Sequence, residues 1–224
     1  MLFSKRRVVL FVGGYGSGKT EVAVNYSLAS RPLVTKLALV DLDVVNPYFR
    51  SRERIATLAE QGVKVIAPAG ALASADLPAL PGEISTAILD DEGQLVFDVG
   101  GDDVGARALG RYRHYLEQVG YDLWLVVNGC RPFTQTPELA LSMLKSIEAT
   151  SRLSVTGLIN NTHLMQYTDL ALVQRGETLV CQLSELTGLP LVFNAVVQRL
   201  VPAAKEQLQH PLLPLQLHMK RPWE

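Results

Sequence analysis

The chain has 224 residues, of which 48% are hydrophobic and 19% charged, so it suits one α/β domain over residues 1–224 and excludes a disordered protein. Its formal net charge of -1 argues against a dedicated nucleic-acid-binding surface, which usually carries a basic excess. Cys130 and Cys181 show no zinc or iron–sulfur spacing, and no apolar run approaches the roughly 18 residues of a membrane span. We therefore expect a cytoplasmic protein.

Apolar runs of strand length alternate with segments of helical periodicity along the chain. In chain order the predicted elements are strand Arg7–Val12, helix Thr20–Ala29, strand Leu37–Val40, helix Ser51–Gln61, strand Val63–Ala67, strand Gln94–Phe97, helix Val104–Val119, strand Leu123–Val127, helix Pro137–Ala149, strand Val155–Ile159, helix Thr168–Leu186 and strand Leu191–Val196. Continuous apolar strands between helices predict a three-layer α/β fold, with a mostly parallel sheet covered on both faces. Residues 67–80 are predicted to be irregular, and residues 211–224 to form a proline-rich tail that lies across the surface or is partly loose.

A complete phosphate-binding loop follows the first predicted strand and precedes the first predicted helix. Its residues are Gly13, Gly14, Tyr15, Gly16, Ser17, Gly18, Lys19 and Thr20. Glycine adopts the backbone conformations that point successive N–H groups into a concave nest, and the following helix adds its positive dipole end. Lys19 is predicted to bind the β- and γ-phosphates, and the Thr20 hydroxyl to ligate Mg²⁺. The sequence therefore predicts a nucleoside triphosphate as ligand.

Acidic residues lie where two predicted strands end, at the edge of the sheet where ligands bind in such folds. Asp98 closes an apolar strand in the Walker B arrangement and is predicted to hold Mg²⁺; Gly101 follows and leaves room for the γ-phosphate. Asp41 and Asp43 follow the second strand on one side of the chain. One of these two could join the magnesium shell and the other position the attacking water, and turn chemistry is the alternative.

This order of motifs resembles the MinD/ParA-like branch of P-loop NTPases, within the SIMIBI class. The resemblance rests on the phosphate loop, Asp-x-Asp after the second strand and Asp-x-Gly-Gly after a later one, and it spans Arg7 to about Val197. It implies that Asp43 orients water, that Asp41 and Asp98 surround Mg²⁺, and that Asn161 lies near the base. For the run Asn160-Asn161, a polar turn at the end of a strand is the alternative.

The loop departs from that branch at one position. A second, signature lysine early in the loop usually reaches the nucleotide of a partner subunit, and here Gly14 takes its place. A homodimer is still compatible with the sequence, but it would lack the contact that this lysine makes. The loop is similar to that of GTPases that help to insert nickel into enzymes, but those read guanine with Asn-Lys-x-Asp. This chain has Asn160-Asn161-Thr162-His163 instead, which favours ATP.

Two classes of function fit these motifs. The first is an ATP-driven, magnesium-dependent switch, in which hydrolysis releases ordered segments and the output is docking to a protein client. The second is a small-molecule kinase or ligase similar to dethiobiotin synthetase, which needs an acceptor pocket with a cationic clamp near Lys19; Lys36 and Arg50 are the nearby candidates in sequence. A non-hydrolysing nucleotide sensor is a further alternative, for which Asp43 would be dispensable.

Overall fold

A single sheet of eight strands organises the chain. The computed structural model describes residues 2–43, 55–67, 80–101 and 103–218. Within these ranges the strand order is β3-β2-β4-β1-β5-β6-β7-β8, and all neighbouring strands are parallel. The strands are β1 Val8–Val12, β2 Leu37–Leu42, β3 Val63–Ile66, β4 Gln94–Val99, β5 Tyr121–Val127, β6 Gly157–Asn160, β7 Leu191–Val197 and β8 Leu212–Leu215. The predicted parallel α/β fold is confirmed.

Helices cover both faces of the sheet. Those in the described residues are α1 Lys19–Ser30, α2 Ile55–Glu60, α3 Leu80–Leu89, α4 Asp103–Gly110, α5 Arg113–Val119, α6 Pro137–Ser151, α7 Leu170–Thr187 and α8 Val201–Gln207. One apolar core lies between the sheet and α1 with α2, and a second between the sheet and α3 to α7. Successive residues of β1 point into opposite cores, so the whole strand is buried. None of the described helices is long and apolar enough to cross a bilayer.

An aromatic cluster fixes α1 against the middle of the sheet. The Tyr26 ring on α1 lies 5.3 Å from the ring of Phe11 and 5.5 Å from that of Trp124, with edge-to-face geometry in both pairs. Phe193 on β7 completes the cluster, 5.9 Å from Trp124. Edge-to-face pairs of this kind add to the free energy gained by burial. The cluster therefore holds the helix that follows the phosphate loop at a fixed height above β1.

The prediction of one continuous helix over Val104–Val119 is wrong, because this stretch forms two helices. α4 ends at Gly110 and α5 begins at Arg113. A Cβ on Gly110 would lie 3.2 Å from the carbonyl oxygen of Ser151, so the chain packs closely there against the end of α6. The break follows from this tertiary contact and from the poor helix propensity of glycine.

The carboxyl-terminal tail is more ordered than its prolines indicate. Leu212–Leu215 forms the edge strand β8, which tolerates Pro214 because an edge residue can lack its N–H. Beyond it, the Asn25 amide exchanges two hydrogen bonds with the backbone of Gln216, at 2.9 and 2.8 Å. The N–H of His218 donates to the Glu21 carboxylate at 2.9 Å. The tail is therefore attached to α1. Helices α3 and α8 are further elements that the sequence pattern did not predict.

Some predictions lie outside the described residues. The predicted helix Ser51–Gln61 is described from Ile55, where α2 begins and continues to Glu60. Arg50 and most of the predicted irregular segment 67–80 lie outside, as does the end of the tail from residue 219.

We predict that Leu213→Ala lowers the free energy of unfolding by about 2–5 kcal/mol, because it empties a fully buried site between β8 and α1. Urea denaturation followed by circular dichroism measures the change. Leu217→Ala is the matched control, since that side chain is 56% exposed in the same tail, and its effect should stay within about 0.5 kcal/mol. Equal effects of the two substitutions would mean that β8 does not pack as described.

Candidate nucleotide site

The loop between β1 and α1 turns sharply at its glycines. Gly13, Gly16 and Gly18 have φ angles of 150°, 74° and 81°, a region that favours glycine. A Cβ on Gly13 would also lie only 2.5 Å from the carbonyl oxygen of Val126. Gly18 directly precedes α1, so the first N–H groups of the helix face the concave side of the loop. This is the backbone geometry that binds phosphate groups.

The charged and hydroxyl residues of the loop are withdrawn from solvent. Ser17, Lys19 and Thr20 are all buried. The Lys19 ammonium donates to the carbonyl oxygen of Gly14 at 3.4 Å. It also lies against Gly101, where a Cβ would be 2.7 Å from Nζ and 2.9 Å from the backbone nitrogen of Tyr15. The segment after β4 therefore contacts the loop beside the lysine and requires glycine there, while the Tyr15 side chain is exposed.

Three aspartates converge on the same end of the loop. Asp98 and Asp41 are register partners on the neighbouring strands β4 and β2, so their side chains lie side by side on the α1 face. Asp43 follows β2, and its N–H donates to Oδ1 of Asp41 at 3.0 Å. All three carboxylates are buried. The structure thus assembles Asp41, Asp43 and Asp98 with Lys19 and Thr20, which the sequence predicted to act together.

The electrostatics of Asp98 are dominated by burial. Desolvation, followed by repulsion from Asp41, raises the pKa of Asp98 to about 8, and Lys19 opposes this shift. Among the described residues neither carboxylate oxygen has a hydrogen-bond partner of good geometry, although the Thr20 hydroxyl is near enough to favour the charged form. A buried carboxylate that lacks such partners is costly unless a cation compensates it. This environment therefore favours a positive ligand.

The donor set fits Mg²⁺. Carboxylate and hydroxyl oxygens are the ligands that this hard cation prefers, and it usually retains waters and phosphate oxygens. Among the described residues no three His, Cys, Asp or Glu side chains could hold a metal ion by themselves. Thr20, Asp98 and Asp41 would therefore contribute to a shell completed by the triphosphate and water.

The outer side of the loop is held by residues that follow β5 and β6. The Asn161 amide, 2% exposed, donates to the carbonyl oxygen of Ser17 at 2.7 Å. The Nε of Arg131 donates to the carbonyl oxygen of Gly16 at 2.9 Å, and the Asn128 amide reaches the same oxygen at 3.4 Å. Asn161 thus braces the loop, and its contact with a base stays a prediction. The sequence motifs did not identify Asn128 and Arg131 as site residues. Their position just after an apolar strand was the sequence feature that pointed to them.

His163 lies beside the loop and was also missed. Its Nε2 is 3.2 Å from the place of a Cβ on Gly18. Burial, followed by the positive charge of Arg131, lowers the pKa of His163 to about 4, so the ring is neutral at physiological pH. The backbone N–H of Met165 points towards its Nδ1 at 3.5 Å.

A cavity of about 230 Å³ lies against the start of the loop. Its floor includes the backbone of Gly13, Gly14, Gly100 and Gly101, next to the Lys19 ammonium. Its described walls are otherwise formed by Val12, Ala106, Phe133, Leu139, Ser142, Met143, Ser146 and Ile147. The described lining therefore carries two hydroxyl groups and no charged side chain. The cavity shares its floor with the end of the loop that faces the aspartates.

Comparisons with solved structures find the same fold. The signal recognition particle receptor FtsY from Elizabethkingia anophelis matches 86% of this chain with a TM-score of 0.56 and 18% identity. The cell division protein ftsY from Thermotoga maritima matches 86% at a TM-score of 0.55 and 20% identity. The signal recognition particle 54 kDa protein from Aeropyrum pernix, solved with GDP, matches 85% of this chain with a TM-score of 0.56 and 19% identity.

These neighbours are longer than this chain. The matched regions cover 58%, 62% and 42% of their chains, in the order given. No protein-family model matches this chain, and no curated protein resembles it in sequence. At this level of identity the likeness concerns the fold. The fold is that of a P-loop NTPase, and the sequence carries the phosphate loop between β1 and α1.

We predict that Asp98→Asn stabilises the nucleotide-free protein increasingly as the pH rises. The pKa of Asp98 is about 8 in the folded state against about 3.8 as its ordinary value, so the folded state binds the proton more tightly. The parent protein therefore has its full free energy of unfolding below about pH 4 and loses part of it as the pH rises towards 8. The Asp98→Asn variant does not lose this part, because asparagine does not ionise. The gain at pH 8 should exceed about 1 kcal/mol, which corresponds to roughly 2–4 °C in Tm.

Thermal unfolding in EDTA at pH 5 and pH 8 measures this effect. Glu206→Gln is the control, because that carboxylate is exposed on α8. A gain at Asp98 that does not depend on pH, or a loss of stability at pH 8, would contradict the prediction.

Proposed function

We propose that this protein is a magnesium-dependent ATPase that works as a MinD/ParA-like switch and acts on a protein client. The observation that supports this most directly is the buried group of Asp41, Asp43 and Asp98 around the Lys19 end of a complete phosphate loop. A loop that only bound phosphate would not need three buried carboxylates, whose desolvation is unfavourable. Metal binding and positioning of water give them a role.

The residues divide the work by position. Thr20, Asp98 and Asp41 would hold Mg²⁺, which supplies neutralisation of phosphate charge when bound. The Lys19 ammonium would leave the Gly14 carbonyl, 3.4 Å away, for the β- and γ-phosphates. Asp43 lies just beyond the strand, where it can accept a hydrogen bond from a water in line with the γ-phosphate. Its N–H already bonds to Asp41, which limits where its side chain can move.

The switch would involve the segment after β4, Gly100–Gly105, and the segment after β2, Asp43–Phe49; residues 44–49 and 102 lie outside the described residues. A Cβ on Gly101 would lie 2.7 Å from the Lys19 ammonium and 2.9 Å from the backbone nitrogen of Tyr15, so a γ-phosphate there would displace or order this segment. The same backbone forms part of the floor of the cavity beside α6. A nucleotide-dependent change would therefore alter a surface that a client can contact. A homodimer is compatible with this scheme, although Gly14 replaces the signature lysine.

The cavity bears on the alternative of a small-molecule kinase or ligase. It adjoins the predicted γ-phosphate position, as an acceptor pocket must. An acceptor carboxylate would need a cationic clamp, and the described lining has no charged side chain. The switch is therefore the function that we favour.

We predict a preference for ATP over GTP. An aspartate is the side chain that pairs with the two N–H donors of guanine, and the run from Asn160 to His163 contains none. Competition binding of the two triphosphates in Mg²⁺ measures the ratio. A tenfold preference for GTP, about 1.4 kcal/mol, would contradict the prediction.

We predict that Asp43→Asn lowers kcat for ATP hydrolysis roughly 10²- to 10⁴-fold and leaves KM nearly unchanged, because a water-positioning group acts mainly in the transition state. Single-turnover hydrolysis at saturating Mg²⁺ measures the rate. Lys19→Ala is the companion variant and should lose tight triphosphate binding while keeping its fold. Equal hydrolysis rates for Asp43→Asn and the parent would mean that Asp43 serves only as a turn residue. That result would favour the alternative of a non-hydrolysing nucleotide sensor.

A further inference from the structure

α7 carries a buried carboxylate that the proposed chemistry does not use. Glu177 is 7% exposed, and among the described residues it is the only glutamate that is buried. A glutamate is seldom withdrawn from water unless its charge is paired or hydrogen-bonded. The helix packs against β6 and β7, on the side of β1 away from the aspartates. The partners of Glu177 therefore indicate what its burial serves.

Several donors converge on this carboxylate. Its Oε1 accepts from the Asn194 amide at 2.7 Å and from the backbone N–H of His210 at 3.1 Å. The backbone N–H of Gln209 donates to both carboxylate oxygens, at 3.2 and 3.3 Å. Nδ1 of His210 lies 3.0 Å from Oε1. Glu177 therefore joins α7 to β7 and to the connection between α8 and β8.

A chain of hydrogen bonds continues from Asn194 to the end of β6. The amide oxygen of Asn194 accepts from the Asn160 amide at 2.8 Å. The amide oxygen of Asn160 in turn accepts the backbone N–H of Thr162 at 3.1 Å. All three residues are buried, where hydrogen bonds are strong and an unpaired group is costly. The chain from Glu177 thus ends at the two residues on either side of Asn161.

α7 also packs closely against the same two residues. A Cβ on Gly176 would lie 2.4 Å from Oδ1 of Asn160 and 2.2 Å from Oγ1 of Thr162. This Thr162 oxygen accepts the backbone N–H of Gly129 at 3.0 Å, which links it to the end of β5. Asn161 is therefore flanked by two residues that α7 fixes by close contact and by the chain from its next residue, Glu177.

We propose that Glu177 is a positioning residue for the phosphate loop, acting through this hydrogen-bond chain on the brace between Asn161 and Ser17. The Asn161 amide donates to the carbonyl oxygen of Ser17 at 2.7 Å. Because the C=O and N–H of a trans peptide point in opposite directions, this bond turns the N–H of Gly18 towards the concave side of the loop. The inference rests on the proposed function, since it takes a triphosphate as the ligand of the loop.

The experiment breaks the chain at two different links. In Glu177→Met the new side chain has a similar length but accepts hydrogen bonds only weakly, and Asn194→Ala removes the next link. Glu177→Gln is the conservative variant, because its amide oxygen can take the place of Oε1. Leu183→Ala is the matched control, since it empties a fully buried apolar site on the same helix, outside the chain.

Calorimetry in Mg²⁺ measures the affinities of ATP and inorganic tripolyphosphate for each variant. We expect Glu177→Met and Asn194→Ala to lower both affinities about tenfold, because the loop that binds the phosphates loses its brace. Glu177→Gln should stay within about threefold of the parent. Leu183→Ala should stay within about twofold even though its Tm falls. Thermal unfolding verifies that each variant is folded.

A double-mutant cycle separates positioning from general stabilisation. Asn161→Ala should lower both affinities by about the same factor, and adding Glu177→Met or Asn194→Ala to it should change them less than about twofold further. Multiplicative losses, an equal loss in Leu183→Ala or a loss confined to ATP would each overturn the positioning role. Unchanged affinities in both chain-breaking variants would overturn it as well. A parent protein that binds neither ligand would instead overturn the proposed function itself.

Discussion

The site depends on the orientation of peptide groups in the loop from Gly13 to Lys19. Turning the N–H groups inward to meet phosphate turns carbonyl groups outward, and buried carbonyls need donors of their own. The Gly16 oxygen takes Arg131 and the Ser17 oxygen takes Asn161. The Gly18 oxygen accepts the N–H of Val22 and so begins the hydrogen bonding of α1. The loop is therefore stable only where strands β5 and β6 deliver side-chain donors beside it.

A second constraint is the unfavourable burial of carboxylates at the other end of the loop. Register pairing between β2 and β4 forces Asp41 and Asp98 to be neighbours, and burial with mutual repulsion raises the pKa of Asp98. Lys19 offsets part of this charge from the opposite wall. Burial of carboxylates in this way is unfavourable unless a cation compensates their charge.

The two ends of the loop thus have different chemistry. The β4 side is acidic, close to Lys19 and continuous with the cavity beside α6. The β5 and β6 side carries amides, a neutral imidazole and a guanidinium. β1 lies between these two sides, so the phosphate loop separates the acidic side from the amide-rich side.

The sequence by itself determined the phosphate loop, the parallel sheet and the aspartates at strand ends, because each depends on local patterns. Glycine spacing sets the loop backbone, and continuous apolar runs require a sheet covered on both faces. The tertiary structure alone decided which side chains hold the loop from outside. Arg131 and Asn161 follow strands that are distant from the loop in sequence and reach it only through the strand order. The same applies to β8, since Leu212–Leu215 becomes a strand only beside β7 and against α1.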